Sequence, residues 1–242
     1  MLNELITASQ LSELADARSK IYGWLSSIYL KIPDRNFVKI LMGKNFNVHL
    51  ASLSHSADLP EEMRDGIKIV EDFIERSKDK SLEELRDGLA VEHTRLFRGV
   101  KRLYGPPPPY ESVYVEKGLV MGESTAKVKK KYAEAGISLA DDLKGEPPDY
   151  IGFELDFIRY LCSEEAEAWR ESRRDVALKY LNMESRFLYE HLMRWVPKFC
   201  DIVVDETKLD FYRGMAKITK GFIDFDYSRA DAFISTLKHT KR

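Results

Sequence analysis

The stretch Glu146-Pro-Pro-Asp-Tyr-Ile-Gly-Phe-Glu-Leu-Asp-Phe-Ile-Arg-Tyr-Leu-Cys162 decides the fold, because it predicts a helix with a well-marked start. A residue before a proline is disfavoured in the helical conformation, so we expect Pro147 to be the cap and Pro148 the first helical residue. Asp149 then falls in the first turn. There its carboxylate meets unpaired backbone N–H groups and the positive end of the helix dipole.

The apolar arc of this helix is too wide for a helix on the protein surface. At about 100° per residue, one side collects Tyr150, Ile151, Phe153, Leu155, Phe157, Ile158, Tyr160, Leu161 and Cys162. A surface helix carries a single apolar stripe, so this arc indicates a helix that is covered from several sides. We interpret it as the central helix of the fold.

Two charged residues fall within the apolar surfaces of predicted helices. Glu154 lies near the middle of the central arc, where an unpaired carboxylate is costly, so we expect it to have a partner or a raised pKa. Arg18 lies within the apolar stripe of the first helix, and a guanidinium can offer a carboxylate two parallel N–H donors. We therefore predict that Arg18 and Glu154 meet and fix the register of the two helices.

Helical spacing of apolar residues recurs along the chain, and no segment shows a convincing run of strand alternation. Caps and prolines predict helices at about 9–30, a short piece through Leu41, 60–77, 81 to Gly99, 121–136, a long helix from beyond Trp169 to Pro197, 207–222 and 228–238. Residues 43–59 are predicted to be irregular. The fold class is all-α: a single globular multi-helix bundle around a central helix that starts near Pro148. We expect one domain, 1–242, with possible halves 1–105 and 110–242.

Composition indicates an ordinary globular protein. Of its 242 residues, 44% are hydrophobic and 32% are charged, and the formal net charge is −2. Nucleic acids and acidic membranes attract a basic face, so neither is predicted as a main partner. The N-terminus lacks a basic region followed by an apolar run, and no stretch of about eighteen apolar residues occurs, so we expect no membrane insertion and a cytoplasmic location.

The sequence contains no pattern that is typical of a metal or cofactor site. Its five histidines form no His-x-x-x-His or Glu-x-x-His pair, and Cys162 and Cys200 belong to no Cys-x-x-Cys pair. A glycine-rich phosphate-binding loop is also missing. We predict reduced cysteines in or near the core, no metal and no cofactor.

The segment Gly105-Pro-Pro-Pro-Pro-Tyr-Glu-Ser-Val-Tyr114 is predicted to be extended at the surface, because its prolines exclude a helix. It fits a stiff linker and, equally well, one wall of a peptide groove. The next helix carries a run of lysines, and such a run is usually a solvated face. The lysines are Lys127, Lys129, Lys130 and Lys131.

Several short motifs follow one another in a specific order. They are Arg18 with Tyr22, Leu96-Phe97, Pro109-Tyr-Glu-Ser-Val-Tyr114, Gly122-Glu-Ser-Thr125 with Tyr132 and Gly136, Pro148-Asp-Tyr-Ile-Gly-Phe-Glu-Leu-Asp-Phe157, and His191-Leu192 with Trp195, Pro197 and Phe199. In their order and spacing they resemble the TorD/DmsD (NarJ-related) family of redox-enzyme maturation chaperones. The resemblance is closest from Leu85 to Phe199.

This resemblance implies an all-helical chaperone that catalyses no reaction. Such a chaperone binds the twin-arginine signal peptide and the apo form of a molybdenum-cofactor oxidoreductase subunit, and delays export until the cofactor is inserted. The family pattern places the peptide site at Tyr110, Ser112, Gly122, Pro148, Asp149 and Tyr150, where Tyr150 replaces the family's usual histidine. We expect a monomer or a dimer that exchanges helices.

The residues themselves fit this task. A twin-arginine signal is a basic pair followed by an apolar stretch, so its receptor needs carboxylates beside an apolar groove. Candidate carboxylates are Asp149, Glu146, Asp142, Asp141 and Glu111, and candidate apolar contacts are Tyr110, Tyr114, Tyr150 and Met121. Two alternatives are an all-α regulatory or scaffold protein that binds a partner helix and, less favoured, an enzyme with Glu154 and Asp149 as acid and base.

Overall fold

The regular secondary structure in the computed structural model is helical. The structure describes residues 7–54, 58–98, 105–116, 118, 120–138 and 145–239. No strand occurs within these ranges, so the all-α prediction is confirmed. In chain order the helices are α1 (Ala8–Leu30), α2 (Arg35–Leu41), α3 (Lys44–Ser54), α4 (Glu61–Arg76), α5 (Leu82–Phe97), α6 (Glu111–Val115), α7 (Glu123–Glu134), α8 (Ile151–Arg170), α9 (Arg174–Phe187), a π-helical turn (Leu188–Leu192), α10 (Met193–Glu206) and α11 (Asp210–His239).

Local sequence sets several of the helix ends. Thr7 caps α1 through a reciprocal capping box with Gln10, and the Ser81 hydroxyl accepts the N–H of Glu84 at the start of α5. Gly136, just after α7, has a φ of +76°, a left-handed conformation in which glycine ends a helix without steric cost. The predicted helix limits near residues 9, 81 and 136 are therefore confirmed. The predicted end of α5 at Gly99 lies outside the described residues.

The central helix α8 is confirmed, but its predicted start is wrong. The helix begins at Ile151 with Tyr150 as its cap, so Pro148 and Asp149 precede it. Tyr150 forms an isolated antiparallel bridge with Tyr110, and this pairing keeps the backbone extended. A contact distant in sequence therefore overrides the local proline signal. Most of the helix is buried, and one apolar core includes residues of both predicted halves of the chain.

Helix α1 runs antiparallel to α8 in a register that three serines fix. The hydroxyls of Ser12, Ser19 and Ser26 donate to backbone carbonyls of α8 at 2.8, 3.0 and 2.8 Å. Their acceptors are Ala166, Arg159 and Gly152, so each step of seven residues along α1 matches seven residues back along α8. A seven-residue repeat keeps one side of a helix facing its partner, and small side chains allow a close approach.

The predicted ion pair between Arg18 and Glu154 is wrong. Arg18 instead binds three acidic side chains, Glu165 at 2.9 Å, Asp226 at 2.5 Å and Glu184. Glu154 and Glu165 are eleven residues apart on α8, roughly 16 Å along the helix axis. The register of the two helices therefore brings Arg18 to the far end of α8.

Glu154 is fully buried and has no cationic partner among the described residues. Its Oε2 atom accepts the Trp195 indole N–H at 3.1 Å. Burial, reinforced by the nearby Glu111, raises the pKa of Glu154 well above its usual value. Glu154 was expected to have either a charged partner or a raised pKa, and the structure favours the raised pKa.

Three predictions for the other helices are wrong. Residues 44–54 form α3 instead of irregular chain, and residues 210–239 form one continuous helix instead of two. Asp226 sits where the sequence indicated a break, yet it is buried because it accepts hydrogen bonds from Arg18 and Tyr22. The third wrong prediction is a helix end at Pro197, because this proline lies inside α10. Proline cannot donate to the preceding turn, and the π-helical turn directly before α10 accommodates this local change.

Helices α4 and α11 touch backbone to backbone at two glycines. A Cβ atom on Gly66 would lie 2.7 Å from the Gly214 carbonyl oxygen, and one on Gly214 would lie 2.6 Å from the Gly66 carbonyl oxygen. Real Cβ atoms do not approach backbone so closely, so only glycine permits this packing distance.

We expect Gly214→Ala to lower the free energy of unfolding by about 1–3 kcal/mol, because the helices must separate. Gly88→Ala is the matched control, since a Cβ on Gly88 in α5 has no neighbour within 4 Å. That variant should gain about 0.5–1 kcal/mol from the higher helix propensity of alanine. Urea denaturation measures both changes. Equal effects of the two substitutions would contradict the close contact between α4 and α11.

We expect Arg18→Met to cost about 3–5 kcal/mol of unfolding free energy at neutral pH, because it leaves buried carboxylates without their counter-charge. The methionine preserves most of the aliphatic volume. Arg35→Met is the control: Arg35 forms an ion pair with 62% of its own side chain exposed, so its loss should cost less than about 1 kcal/mol.

The cost of Arg18→Met should depend on pH. Burial raises the pKa values of Glu184 and Glu165 above the usual 4.5, and removal of the guanidinium raises them further. A carboxyl with a higher pKa in the folded state takes up its proton there first, so the fold gains stability as the pH falls toward 4.5. The loss should therefore be smaller at pH about 5 than at about 7.5. An equal loss at both would contradict the charged cluster.

Candidate functional site

The predicted site residues converge where the proline-rich segment meets the start of α8. Residues 105–110 form no helix but contain bends, so the extended conformation predicted for this segment is wrong; the backbone of Tyr110 bridges to Tyr150. The N–H of Glu111 donates to the Asp149 carbonyl at 2.9 Å. We call this region the α6 junction and define it as residues 109–116, 122–125 and 146–151.

The Asp149 carboxylate joins three helices at the α6 junction. It precedes α8, and its Oδ2 atom accepts the backbone N–H of Ser112 in α6 at 2.9 Å. Its Oδ1 atom accepts the Thr125 hydroxyl of α7, also at 2.9 Å. Asp149 is fully buried, so its carboxylate holds the junction together from inside.

Gly122 is required by a second carboxylate at the start of α7. Glu116 accepts the backbone N–H groups of Glu123 at 2.8 Å and Ser124 at 2.6 Å. The hydrogen bonds from Ser124 lower the pKa of Glu116, which is the expected effect of donors on a charged carboxylate. A Cβ on Gly122 would lie 1.8 Å from Glu116 Oε2, so no other residue fits without moving this carboxylate.

A polar and aromatic cluster forms the outer side of the junction. The Tyr110 hydroxyl donates to Glu146 at 2.9 Å, and Arg98 contacts the other oxygen of Glu146 at 3.2 Å. The Arg98 guanidinium also lies 5.3 Å from the centre of the Tyr150 ring. Tyr150 itself points inward and donates to the Tyr29 carbonyl at 2.6 Å, which ties the junction to α1.

The structure thus brings all six predicted site residues together, but only some reach the surface. Those that are half-buried are Tyr110, Gly122 and Pro148, and those that are buried are Ser112, Asp149 and Tyr150. Among the other candidates, Glu146 is partly exposed, Met121 is exposed and Glu111 is buried. Asp141 and Asp142 lie outside the described residues.

Sequence reasoning missed three contributors to the junction. Glu116 was overlooked because the need for an acceptor at the start of α7 depends on how α6 and α7 pack. Arg98 and Thr125 contact Glu146 and Asp149, which are distant in sequence. The serine and threonine of the Gly122–Thr125 motif were the available signal, since hydroxyl groups are common at helix starts.

A buried polar network continues from the junction into the core. Glu111 Oε2 lies 2.7 Å from His191 Nδ1, and Glu111 Oε1 lies 3.6 Å from an Arg194 guanidinium nitrogen. Burial and this neighbouring carboxylate raise the pKa of Glu154. Side chains of the π-helical turn and of α10 therefore lie against the two oxygens of Glu111.

The acid/base enzyme alternative requires substrate access to Glu154 and Asp149. Both side chains are fully buried, so neither faces a cleft. No group of three or more possible metal-binding side chains occurs in the described parts of the chain. Within the same parts, no helix combines the length and apolar composition needed to span a bilayer.

Comparison with known proteins identifies the family. The family model described as "Nitrate reductase delta subunit" matches residues 56–201. A protein from Vibrio cholerae serotype O1 named "Chaperone protein TorD" is 25% identical over 225 residues, which cover 93% of this chain and 97% of the relative. The protein of the same name from Vibrio parahaemolyticus is 26% identical over 212 residues and covers 87% and 93%.

A solved structure is also similar. It is described as a redox enzyme maturation protein from Archaeoglobus fulgidus, with 18% identity and a TM-score of 0.45 over 84% of this chain and 91% of that one. The curated relatives are named as chaperones, which agrees with the expectation that the protein is not an enzyme. The resemblance inferred from the motifs is confirmed: the chain belongs to the nitrate reductase delta subunit family, which includes the TorD-related chaperones.

Proposed function

We propose that the protein is a cytoplasmic chaperone that binds the twin-arginine signal peptide of a molybdenum-cofactor oxidoreductase subunit. It holds the apo form of this client until the cofactor is inserted. The main support is the α6 junction, where residues that the family pattern assigns to peptide binding form one connected cluster. The named chaperone relatives support the general role.

The outer side of the α6 junction has the chemistry that a basic peptide requires. Glu146 is 37% exposed and can accept further hydrogen bonds from a guanidinium. Tyr110, which donates to Glu146, adds an aromatic surface beside this charge. An incoming arginine can replace Arg98, whose contact with Glu146 is 3.2 Å long. The existing ion pair thus occupies the place that we assign to an arginine of the signal.

The other end of α6 offers apolar surface. Met121 is 66% exposed and Val120 is 48% exposed, and both directly precede Gly122. Methionine adapts its shape easily, which suits a receptor for apolar segments of varied sequence. A five-residue helix is roughly 7.5 Å long, about the length of two or three residues of an extended peptide. A short basic and apolar segment can therefore span α6 from Glu146 to Met121.

We expect a synthetic peptide with an arginine pair followed by an apolar stretch to bind with micromolar or tighter affinity, about −8 kcal/mol. Isothermal calorimetry measures the affinity. The matched control peptide carries glutamine in place of both arginines and should bind much more weakly. No heat with the arginine peptide at millimolar concentration would contradict the proposed function.

The same titration with Glu146→Gln tests the location. Glutamine retains an acceptor for Tyr110 but loses the charge, so we expect peptide binding to weaken about tenfold, or 1.4 kcal/mol, with little change in stability. Glu75→Gln is the control, because Glu75 is 70% exposed on α4 and forms a similar surface ion pair. Equal affinities of the two variants would remove Glu146 from the site.

Asp149→Asn tests whether the buried framework supports binding. An amide cannot accept hydrogen bonds from Ser112 and Thr125 with two oxygens, so one donor is left unsatisfied at a cost of about 1–3 kcal/mol. We expect the helical circular dichroism spectrum to be retained, while α6 and α7 become less firmly joined and peptide affinity falls. Unchanged affinity in the folded variant would exclude Asp149 from the binding framework.

A further inference from the structure

The surface above the π-helical turn forms a cavity of about 840 Å³, which we call the π-turn cavity. It lies between α7, the start of α10 and one turn of α11. A cavity of this size is large enough for several side chains of a ligand, since pockets of about 300–1,000 Å³ accommodate drug-sized molecules. Its lining includes Lys130, Lys131, Arg186, Tyr189, Glu190 and Tyr227.

The cavity lining has more basic than acidic side chains, although the whole chain is slightly acidic. Five of its lining residues are lysines or arginines and two are glutamates. Glu190 is occupied by Lys131 at 2.6 Å and Arg186 at 3.6 Å. Lys130 forms no ion pair with any carboxylate in the described ranges and is exposed. Lys127 pairs with Glu123 at 2.9 Å and Arg194 lies 3.6 Å from Glu111, so within these ranges the positive charge that no carboxylate partners is that of Lys130.

Aromatic side chains form the apolar part of the cavity. Tyr189 is 63% exposed and stacks on Tyr227, with ring centres 5.8 Å apart and an angle of 20° between the planes. The π-helical turn sends the next residues inward, where His191 contacts Glu111. Turns of this kind are rare and occur frequently at functional sites. The turn thus places the exposed Tyr189 at the side of the cavity and the buried His191 at its base.

We propose that the π-turn cavity binds an acidic peptide segment of a partner protein, one that carries an apolar or aromatic side chain beside its carboxylates. The positive charge attracts the acidic residues, and the stacked tyrosines receive the apolar one. A twin-arginine signal is basic and is repelled here. This site is therefore separate from the α6 junction and does not depend on the function proposed for it.

The experiment uses a fluorescein-labelled octapeptide of the composition Asp-Glu-Phe-Asp-Glu-Leu-Asp-Glu, with fluorescence anisotropy as the readout on the full-length protein. We expect Lys130→Glu to weaken binding at least about tenfold, equivalent to 1.4 kcal/mol. The matched control is Lys129→Glu, which makes the same charge change at an exposed position of the same helix but does not line the cavity. Its affinity should stay within about twofold of the parent, because exposed charges outside the cavity are largely screened at physiological salt.

Three results would overturn the proposal. Equal weakening by Lys129→Glu and Lys130→Glu would mean that the peptide responds only to the overall charge of α7. Displacement of the octapeptide by inorganic phosphate, but not by chloride of the same ionic strength, would indicate a small-anion site. Unchanged affinity of Tyr189→Ala would remove the aromatic wall from the interaction. Binding of the twin-arginine peptide is measured separately, so failure here leaves the function proposed for the α6 junction untouched.

Discussion

The antiparallel contact between α1 and α8 is the constraint on which the rest of the structure depends. Serine hydroxyls at seven-residue spacing bind the backbone of α8, so neither helix can slide without losing these hydrogen bonds. The fixed register places Arg18 among the carboxylates of α8, α9 and α11. At the other end, Tyr150 binds the Tyr29 carbonyl and Arg98 binds the Leu30 carbonyl. The same helix pair therefore positions both the acidic cluster and the α6 junction.

The sequence predicts the parts of the fold that local chemistry controls. The wide apolar arc identifies α8 as the central helix, and the start of α5 after Ser81 follows from residues that are neighbours in the chain. The errors occur where distant residues meet. The bridge between Tyr110 and Tyr150 makes α8 begin three residues later than predicted. Hydrogen bonds from α1 hold Asp226 inside α11, where the sequence predicts a break between two helices. Periodicity shows that Arg18 and Glu154 are buried, but it contains no information on which buried groups meet.

At the candidate site, too, the sequence predicts which residues take part but not which contacts they make. The motif resemblance selects residues that do converge, because each has a specific packing or hydrogen-bonding task at the α6 junction. Asp149 was expected to offer its carboxylate to a ligand, yet both of its oxygens accept hydrogen bonds from Ser112 and Thr125. Glycine is needed at position 122 because a Cβ atom there would collide with the Glu116 carboxylate. These motif residues build the framework of the junction, and Glu146 at its outer side is the partly exposed carboxylate that we assign to the ligand.

Helix α6 connects the two surfaces that we assign to ligands. Tyr110 and Ser112 take part in the α6 junction, whereas Glu111 between them contacts His191 and is near Arg194 under the π-turn cavity. A helix of five residues has too few internal hydrogen bonds to be stable alone, so its position is set by these contacts on either side. Burial and the neighbouring Glu111 raise the pKa of Glu154, while Glu111 itself contacts His191 and lies 3.6 Å from Arg194. The α6 junction and the base of the π-turn cavity therefore share one short helix, which is held in place from both sides.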